Sequence, residues 1–278
     1  MTAARPATMH GGAWGARSVT ALAVLFSVFL ALPVLAVVVR ALLGGVITSV
    51  AGSGTLLTAL ALSLGTTAVS LVITVILGLP LAFVLARRRF RGKWLVETLV
   101  DLPLVLPPSV AGLALLLVFG RRGLLGSTLD LAGIDIAFTT AAVIVAQVFV
   151  SAPFFVRSAR AGIAGVDRDL EDAARVDGAS ELELFRLVTV PLAGSALAAG
   201  LVMSWARAMG EFGATIMFAG SVAGRTQTLP LLVYSEFGGG DLDTAIAAAA
   251  ILVLAAFGVL VAVRALHWGR LLDARAMT

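Results

Sequence analysis

The sequence has no cysteine, two histidines, one tyrosine and only 13% charged residues. The missing cysteines exclude disulfides, iron–sulfur clusters and thiolate-ligated zinc. His10 and His267 lie near opposite ends of the chain in arginine-bearing flanks, where a metal pair or a nucleophile–base pair has nothing to build on. No G-x-x-x-x-G-K-[ST] phosphate loop occurs, so the chain offers no nucleotide site of that kind. The low charge is the most restrictive absence, because a soluble domain carries about 25% charged residues. Too little polar sequence remains to cover a soluble core of this size.

In place of charge there are long apolar runs. Hydrophobic residues make up 60% of the chain. Val19–Val39, Leu56–Ala86, Leu102–Gly120, Ile136–Val156, Val188–Ala206 and Thr244–Val263 contain no formal charge. About 20 apolar residues in helical conformation cross a bilayer. The expected fold is therefore all-α and integral to the membrane, with six transmembrane helices. The expected layout is an N-terminal segment 1–18, spans at about 19–40, 56–86, 102–120, 136–157, 188–217 and 244–264, and a tail 267–278.

The net charge of +4 does not point to nucleic acid, because the basic residues stand in short segments beside the spans. With the N-terminus in the cytoplasm, 15 of the 20 basic residues fall in inner segments and Arg40, Arg121, Arg122 and Arg225 in outer ones. Arg207 falls near the end of span five. That asymmetry predicts a multi-pass protein of the cytoplasmic membrane with both termini inside. A competing reading takes Arg5, Arg17, the first apolar run and Val34-Leu35-Ala36 as a cleavable signal peptide, although the run continues through Val39, long enough to span.

Span three is crowded by Pro103, Pro107 and Pro108. Non-helical backbone at membrane depth needs cover from protein or a water-filled cavity. Pro107, Pro108 and Ser109 are therefore candidate pathway or gate residues. A compatible reading is an interfacial helix to Asp101 followed by a transmembrane helix that starts near Pro107-Pro108. Arg207 and Glu211 stand four apart, the spacing of one helix face, and are either a bracing ion pair or a substrate contact. Gly210 and Gly213 permit close helix packing. Arg121, Arg122, Arg225 and Thr226 are outer donors suited to an acidic partner or an oxyanion.

The segment from Arg157 to Arg186 holds five basic and seven acidic residues and is too polar to span. Within 165–187 the expectation is two short helices. The first is capped by Asp169, with Glu171 and Asp172 in its opening turn. Gly178 ends it. Ser180 and Glu183 form a capping box for the second, and Pro191 begins span five. Ala173-Ala174 supplies a small exposed docking face, and acidic residues stand ready to meet a basic partner.

This segment resembles the coupling loop of ABC-importer permeases, whose pattern is Glu-Ala-Ala, three residues, Gly, nine residues, then Ile-x-Leu-Pro. Ala173, Ala174, Gly178 and Pro191 occupy the matching places, Asp172 stands in the Glu slot with Glu171 before it, and Ala179 follows the glycine. Val188 and Val190 replace Ile and Leu. The resemblance implies that the loop docks on a separate ATP-binding subunit. Leu102–Gly112 and Phe119–Gly126 resemble molybdate permeases, while Arg207–Thr215 and Arg225–Pro230 resemble sulfate permeases as well. The implied assembly is a homodimer with two ATPase subunits and an external oxyanion-binding protein. This chain would bind no cofactor; ATP and Mg would be held by the partner subunit. Molybdate is the implied cargo, with sulfate, thiosulfate or tungstate as alternatives. From another class, an ATP-independent channel or secondary transporter would leave the loop unexplained.

Overall fold

The computed structural model describes the backbone of residues 12–45 and 53–276 and the side chains of residues 18–45 and 53–261. Residues 1–11 of the expected inner segment 1–18, His10 among them, and the side chains of Arg17, Arg264, His267, Arg270 and Arg275 lie outside the described residues. Every regular element among the described residues is helical.

Helices α1 (Gly12–Leu43) and α2 (Gly54–Arg87) come first. α3 (Lys93–Val105) and α4 (Pro108–Phe119) follow, and then the short α5 (Gly126–Leu131). α6 (Thr140–Ala164) leads into α7 (Arg168–Val176), α8 (Glu181–Leu184), a π-helical turn (Phe185–Thr189) and α9 (Val190–Leu192). α10 (Gly194–Met209), α11 (Gly213–Phe218), α12 (Leu229–Gly239) and α13 (Leu242–Ala276) complete the chain.

Among the described residues four helices are long and apolar enough to cross a membrane unaided, namely α1, α2, α6 and α13. Two bent pairs raise the number to six if each counts as one span. Span three is thus not one helix over 102–120. α3 and α4 meet at a 120° bend. Pro107 and Pro108 cause it, since neither has an N–H to continue the ladder, and Pro108 starts the new helix at a position where none is needed. α4 alone rises only about 18 Å. The interfacial-helix reading describes α3 best. Glu97 and Asp101 pair with Arg160 (2.9 Å) and Arg157 (3.7 Å) of α6, while Trp94, Leu95, Leu99 and Leu102 are exposed.

Span five differs from expectation too. It does not run unbroken over 188–217. A 74° bend separates Glu181–Leu192 from α10, and a second break at Gly210–Phe212 separates α10 from α11. Pro191 removes one rung of the ladder just after the π-helical turn. By contrast α2 stays a single 34-residue helix through Pro80. It rises about 50 Å, well beyond the bilayer's hydrocarbon thickness.

α6 makes the most extensive packing contacts, with α2 and with α10. Small residues set the closeness. A Cβ on Gly200 of α10 would lie 2.8 Å from the Ser158 Cβ of α6. Small hydroxyl residues Ser63, Thr66, Thr67, Ser70 and Thr74 form a buried stripe along α2. Ser63 Oγ accepts from the Leu229 N–H at 2.7 Å, and Thr67 Oγ1 lies 3.7 Å from Met209 Sδ and 3.4 Å from Gln147 Nε2. Apolar clusters fill both ends of this trio. Leu56, Ala59, Met209, Leu229 and Leu232 form one, and Ala82, Leu85, Phe155, Val156 and Ile163 the other.

Candidate functional site: a two-helix knob and the breaks behind it

The polar segment folds as α7, a tight turn and α8. Asp167, not Asp169, caps α7: its carboxylate accepts from the Asp169 N–H at 3.0 Å. Asp169 and Glu171 fall in the first turn, where the helix dipole favours negative charge. Gly178 takes φ +89°, a left-handed conformation that L side chains avoid, so the glycine is what lets the chain reverse. Beyond it the capping box forms as expected: Ser180 Oγ accepts from the Glu183 N–H, and the Glu183 carboxylate accepts from the Ser180 N–H at 2.9 Å. Ser180's hydroxyl and N–H hold the Glu183 carboxyl below its ordinary value.

Arg175 stitches the two helices together. It donates to Asp172 of α7 at 2.7 Å and to Glu181 of α8 at 2.9 Å. Hydrogen bonding to Arg175 lowers the Glu181 carboxyl, and Glu181 in turn raises the guanidinium. The two residues of the expected Ala-Ala face differ in setting: Ala173 is exposed, while Ala174, like Ala179, is half-buried. Larger apolar side chains that the sequence reading passed over accompany them. Val176 is 87% exposed, and Leu170 and Leu182 are exposed as well. Leu170, Val176 and Leu182, with Ala173, are the apolar side chains that α7 and α8 leave at the surface.

Glu171 does not belong to that surface. It is only 3% exposed. Its Oε1 accepts from Arg87 Nη2 at 2.7 Å and from Thr189 Oγ1 at 2.8 Å. Arg87 Nη2 also donates to the Val166 carbonyl at 3.2 Å. Of the acidic residues expected to meet a basic partner, Glu171 is already held by Arg87 of the same chain. Asp172, one residue on, is exposed. A groove of about 470 Å³ opens between the end of α2 and the knob, lined by Phe83, Arg88, Arg168, Asp172, Arg175 and Glu181 together with the Arg87–Glu171 pair.

The proposed gate residues and the Arg207–Glu211 pair come together at the two breaks. Arg207 lies in the last turn of α10, and Glu211 lies past the helix terminus rather than on its face, yet the two form an ion pair. Glu211 is buried, and its other carboxylate oxygen accepts from the Ala214 N–H at 2.7 Å at the start of α11. Arg207 is half-buried. The bracing reading of the pair is the one its geometry supports. Gly213 packs inside the chain: a Cβ there would lie 2.6 Å from Pro108 Cβ. Gly112 would clash likewise with the Ala214 carbonyl at 2.5 Å. Pro107, Pro108 and Ser109 themselves remain exposed beside this contact.

Of the four expected docking residues at the other end, two are free to serve. Arg122 and Arg225 are exposed. Arg121 is exposed but forms a two-pronged pair with Asp135, at 3.1 and 2.8 Å. Arg121 holds the Asp135 carboxyl below its usual range, and the Arg225 charge acts in the same direction. Thr226 is fully buried, contrary to expectation. Its Oγ1 accepts from the Val222 N–H at 2.9 Å and lies 3.3 Å from the Gly220 carbonyl, so it pins its own loop. A hydroxyl can satisfy backbone groups as well as a ligand, and the sequence does not say which.

Comparison with known proteins places this architecture. Residues 78–272 match the family model described as "Binding-protein-dependent transport system inner membrane component". A molybdenum transport system permease protein of Mycobacterium tuberculosis is 44% identical over 86% of this chain and 89% of its own length. A molybdenum transport system permease protein of Escherichia coli is 40% identical over 64% of this chain and 78% of its own length. Among solved structures, a bacterial ABC transporter involved in the import of the acidic polysaccharide alginate matches with a TM-score of 0.73 at 17% identity, covering 91% of this chain and 94% of that one. The methionine ABC transporter MetNI, in inward facing conformations, matches with a TM-score of 0.60 at 20% identity, covering 76% of this chain and 94% of that one. These two likenesses show a shared fold. With a family match over most of the chain and a relative at 44% identity, this multi-pass membrane protein belongs to the inner membrane components of binding-protein-dependent transport systems.

Proposed function

We propose that the chain is the membrane-spanning subunit of an ATP-binding cassette importer that carries molybdate inward across the cytoplasmic membrane. The observation that carries this reading is the 44% identity to a molybdenum transport permease across most of both chains. The knob supports it: a charged two-helix projection that exposes Leu170, Val176 and Leu182 is suited to a partner's groove. Two copies of the chain work with two ATPase subunits at the knob end. An external oxyanion-binding protein docks at the opposite end, where Arg122 and Arg225 stand exposed. Both termini face the cytoplasm. ATP and Mg are bound, and ATP is hydrolysed, on the partner; this chain holds no cofactor. ATPase closure moves the knobs, and the breaks at Leu106–Pro107 and Gly210–Phe212 let the helices switch the side to which the pathway opens.

The test is uptake into proteoliposomes holding this chain and its cognate ATPase subunit, with the binding protein outside. Molybdate uptake that needs both ATP and the binding protein is the expected result. Uptake that persists without ATP would overturn the reading in favour of a channel or secondary transporter. Preferential uptake of sulfate over molybdate would correct the cargo while leaving the engine intact.

A further inference from the structure

The Arg87–Glu171–Thr189 cluster is unlike every other ion pair in the described part of the chain. It joins three separate elements through one carboxylate oxygen. Glu171 Oε1 takes hydrogen bonds from the last residue of α2 and from the π-helical turn, while Glu171 itself belongs to α7. Arg87 adds a bond to the Val166 carbonyl, where α6 gives way to the knob. The Phe83 and Phe185 rings meet edge to face with centroids 5.1 Å apart, fastening α2 to the π-helical turn a second time. Exposed ion pairs with free rotamers yield under load; a buried, multiply bonded one holds its geometry.

α2 then offers a rigid route inward. It is unbroken from Arg87 back to Gly54. Two-thirds of the way back along it, Thr67 meets Met209, the residue at which α10 ends. The Arg207–Glu211 pair brackets Met209, and immediately beyond it lie the break at Gly210–Phe212 and the contact of Gly213 with Pro108. α2 thus gives the knob a second route of contacts to the breaks, besides the peptide chain of α8–α10.

We infer that Arg87 and Glu171 form a strut that transmits movement of the knob to α2, with Thr189 fixing its angle. They are positioning residues. They touch neither cargo nor partner, and Glu171 plays no part in the docking face. The inference rests on the reading of the knob as the ATPase-docking element.

Its signature is uncoupling, not loss of assembly. The measurement is molybdate transported per ATP hydrolysed, in proteoliposomes of the full complex, alongside the amount of ATPase subunit that co-purifies with each variant. Glu171→Gln and Arg87→Met are expected to retain the ATPase subunit and to continue hydrolysing ATP. Their transport per ATP should fall by roughly twofold to thirtyfold, the range over which residues within a coupling network act. The double variant should be no worse than the poorer single one, because the two residues act as a unit. Arg87→Lys should recover part of what Arg87→Met loses. Thr189→Val, nearly isosteric and so a safeguard against misfolding, should lower the ratio in the same direction by less. An unchanged ratio in both Glu171→Gln and Thr189→Val would overturn the strut. So would loss of the ATPase subunit in proportion to uptake, which would return Glu171 to the docking face. Failure of the unmodified chain to bind its ATPase subunit is a different result, and would overturn the docking reading beneath the strut.

Discussion

Each end of the molecule carries an arginine–carboxylate pair, and the two pairs have nearly the same length. Arg87–Glu171 closes at 2.7 Å and Arg121–Asp135 at 2.8 Å. Their surroundings differ. The side chains of the first pair are 11% and 4% exposed, and those of the second 77% and 49%. Water and salt screen the second pair, which loses little if either member is removed. The first pair has given up its water. Removing one member leaves a charge with neither solvent nor partner. Contact distance alone would have ranked the two as equals; burial decides which one organises the fold.

Stability measurements in detergent can break this comparison, and the largest effect should come from Glu171→Ala. It strands Arg87 and frees Thr189, and should cost about 3–5 kcal/mol. A thermal melt checks it. Gly178→Ala comes next. No atom lies within 4 Å of a Cβ there, so crowding contributes nothing, but φ +89° places a left-handed strain of about 1–2 kcal/mol on any L residue. Hydrogen exchange should show it as faster opening confined to α7 and α8. Ser180→Ala should cost about 1 kcal/mol through the lost cap.

The same cap has a pH signature. The folded value of Glu183 lies below the ordinary 4.5, so its contribution is complete above pH 4.5 and disappears as pH falls through that lower folded value. Carboxyl-carbon NMR titration of Glu183 should give a midpoint below 4.5 that moves back up in Ser180→Ala. Smallest of all, Arg121→Ala should leave the melting temperature unchanged. A loss there comparable to that of Glu171→Ala would dissolve the contrast between the two ends.

Much of this was legible in the residues. Charge-free runs marked the membrane helices because a bilayer leaves no alternative way to bury them. Gly178 and the Ser180–Glu183 box were legible because turns and caps are decided within a few residues. The break before Pro108 was legible for the same local reason. What stayed hidden depends on helical phase and distant contacts. Glu171 and Asp172 are adjacent acids of equal polarity, yet a rotation of about 100° along the helix buries one beneath Arg87 and leaves the other in solvent. Nothing local says which face of α7 meets α2, 84 residues earlier in the chain than Glu171. Thr226 was misread because a hydroxyl in a loop serves a backbone as readily as a partner. Gly213 suggested close helix packing without naming its neighbour, which is Pro108.

The account turns on the knob end being the one that engages the ATPase subunit. The chain lacks cysteine, so single substitutions give clean labelling sites. Val176→Cys places a thiol at the exposed tip of the knob, and Leu131→Cys places one at the end of α5, where the side chain is 92% exposed. Both should react with a water-soluble maleimide in the isolated chain. Adding the ATPase subunit should protect Val176→Cys and leave Leu131→Cys reactive. Labelling of Val176→Cys at an unchanged rate in the assembled complex would contradict the central claim.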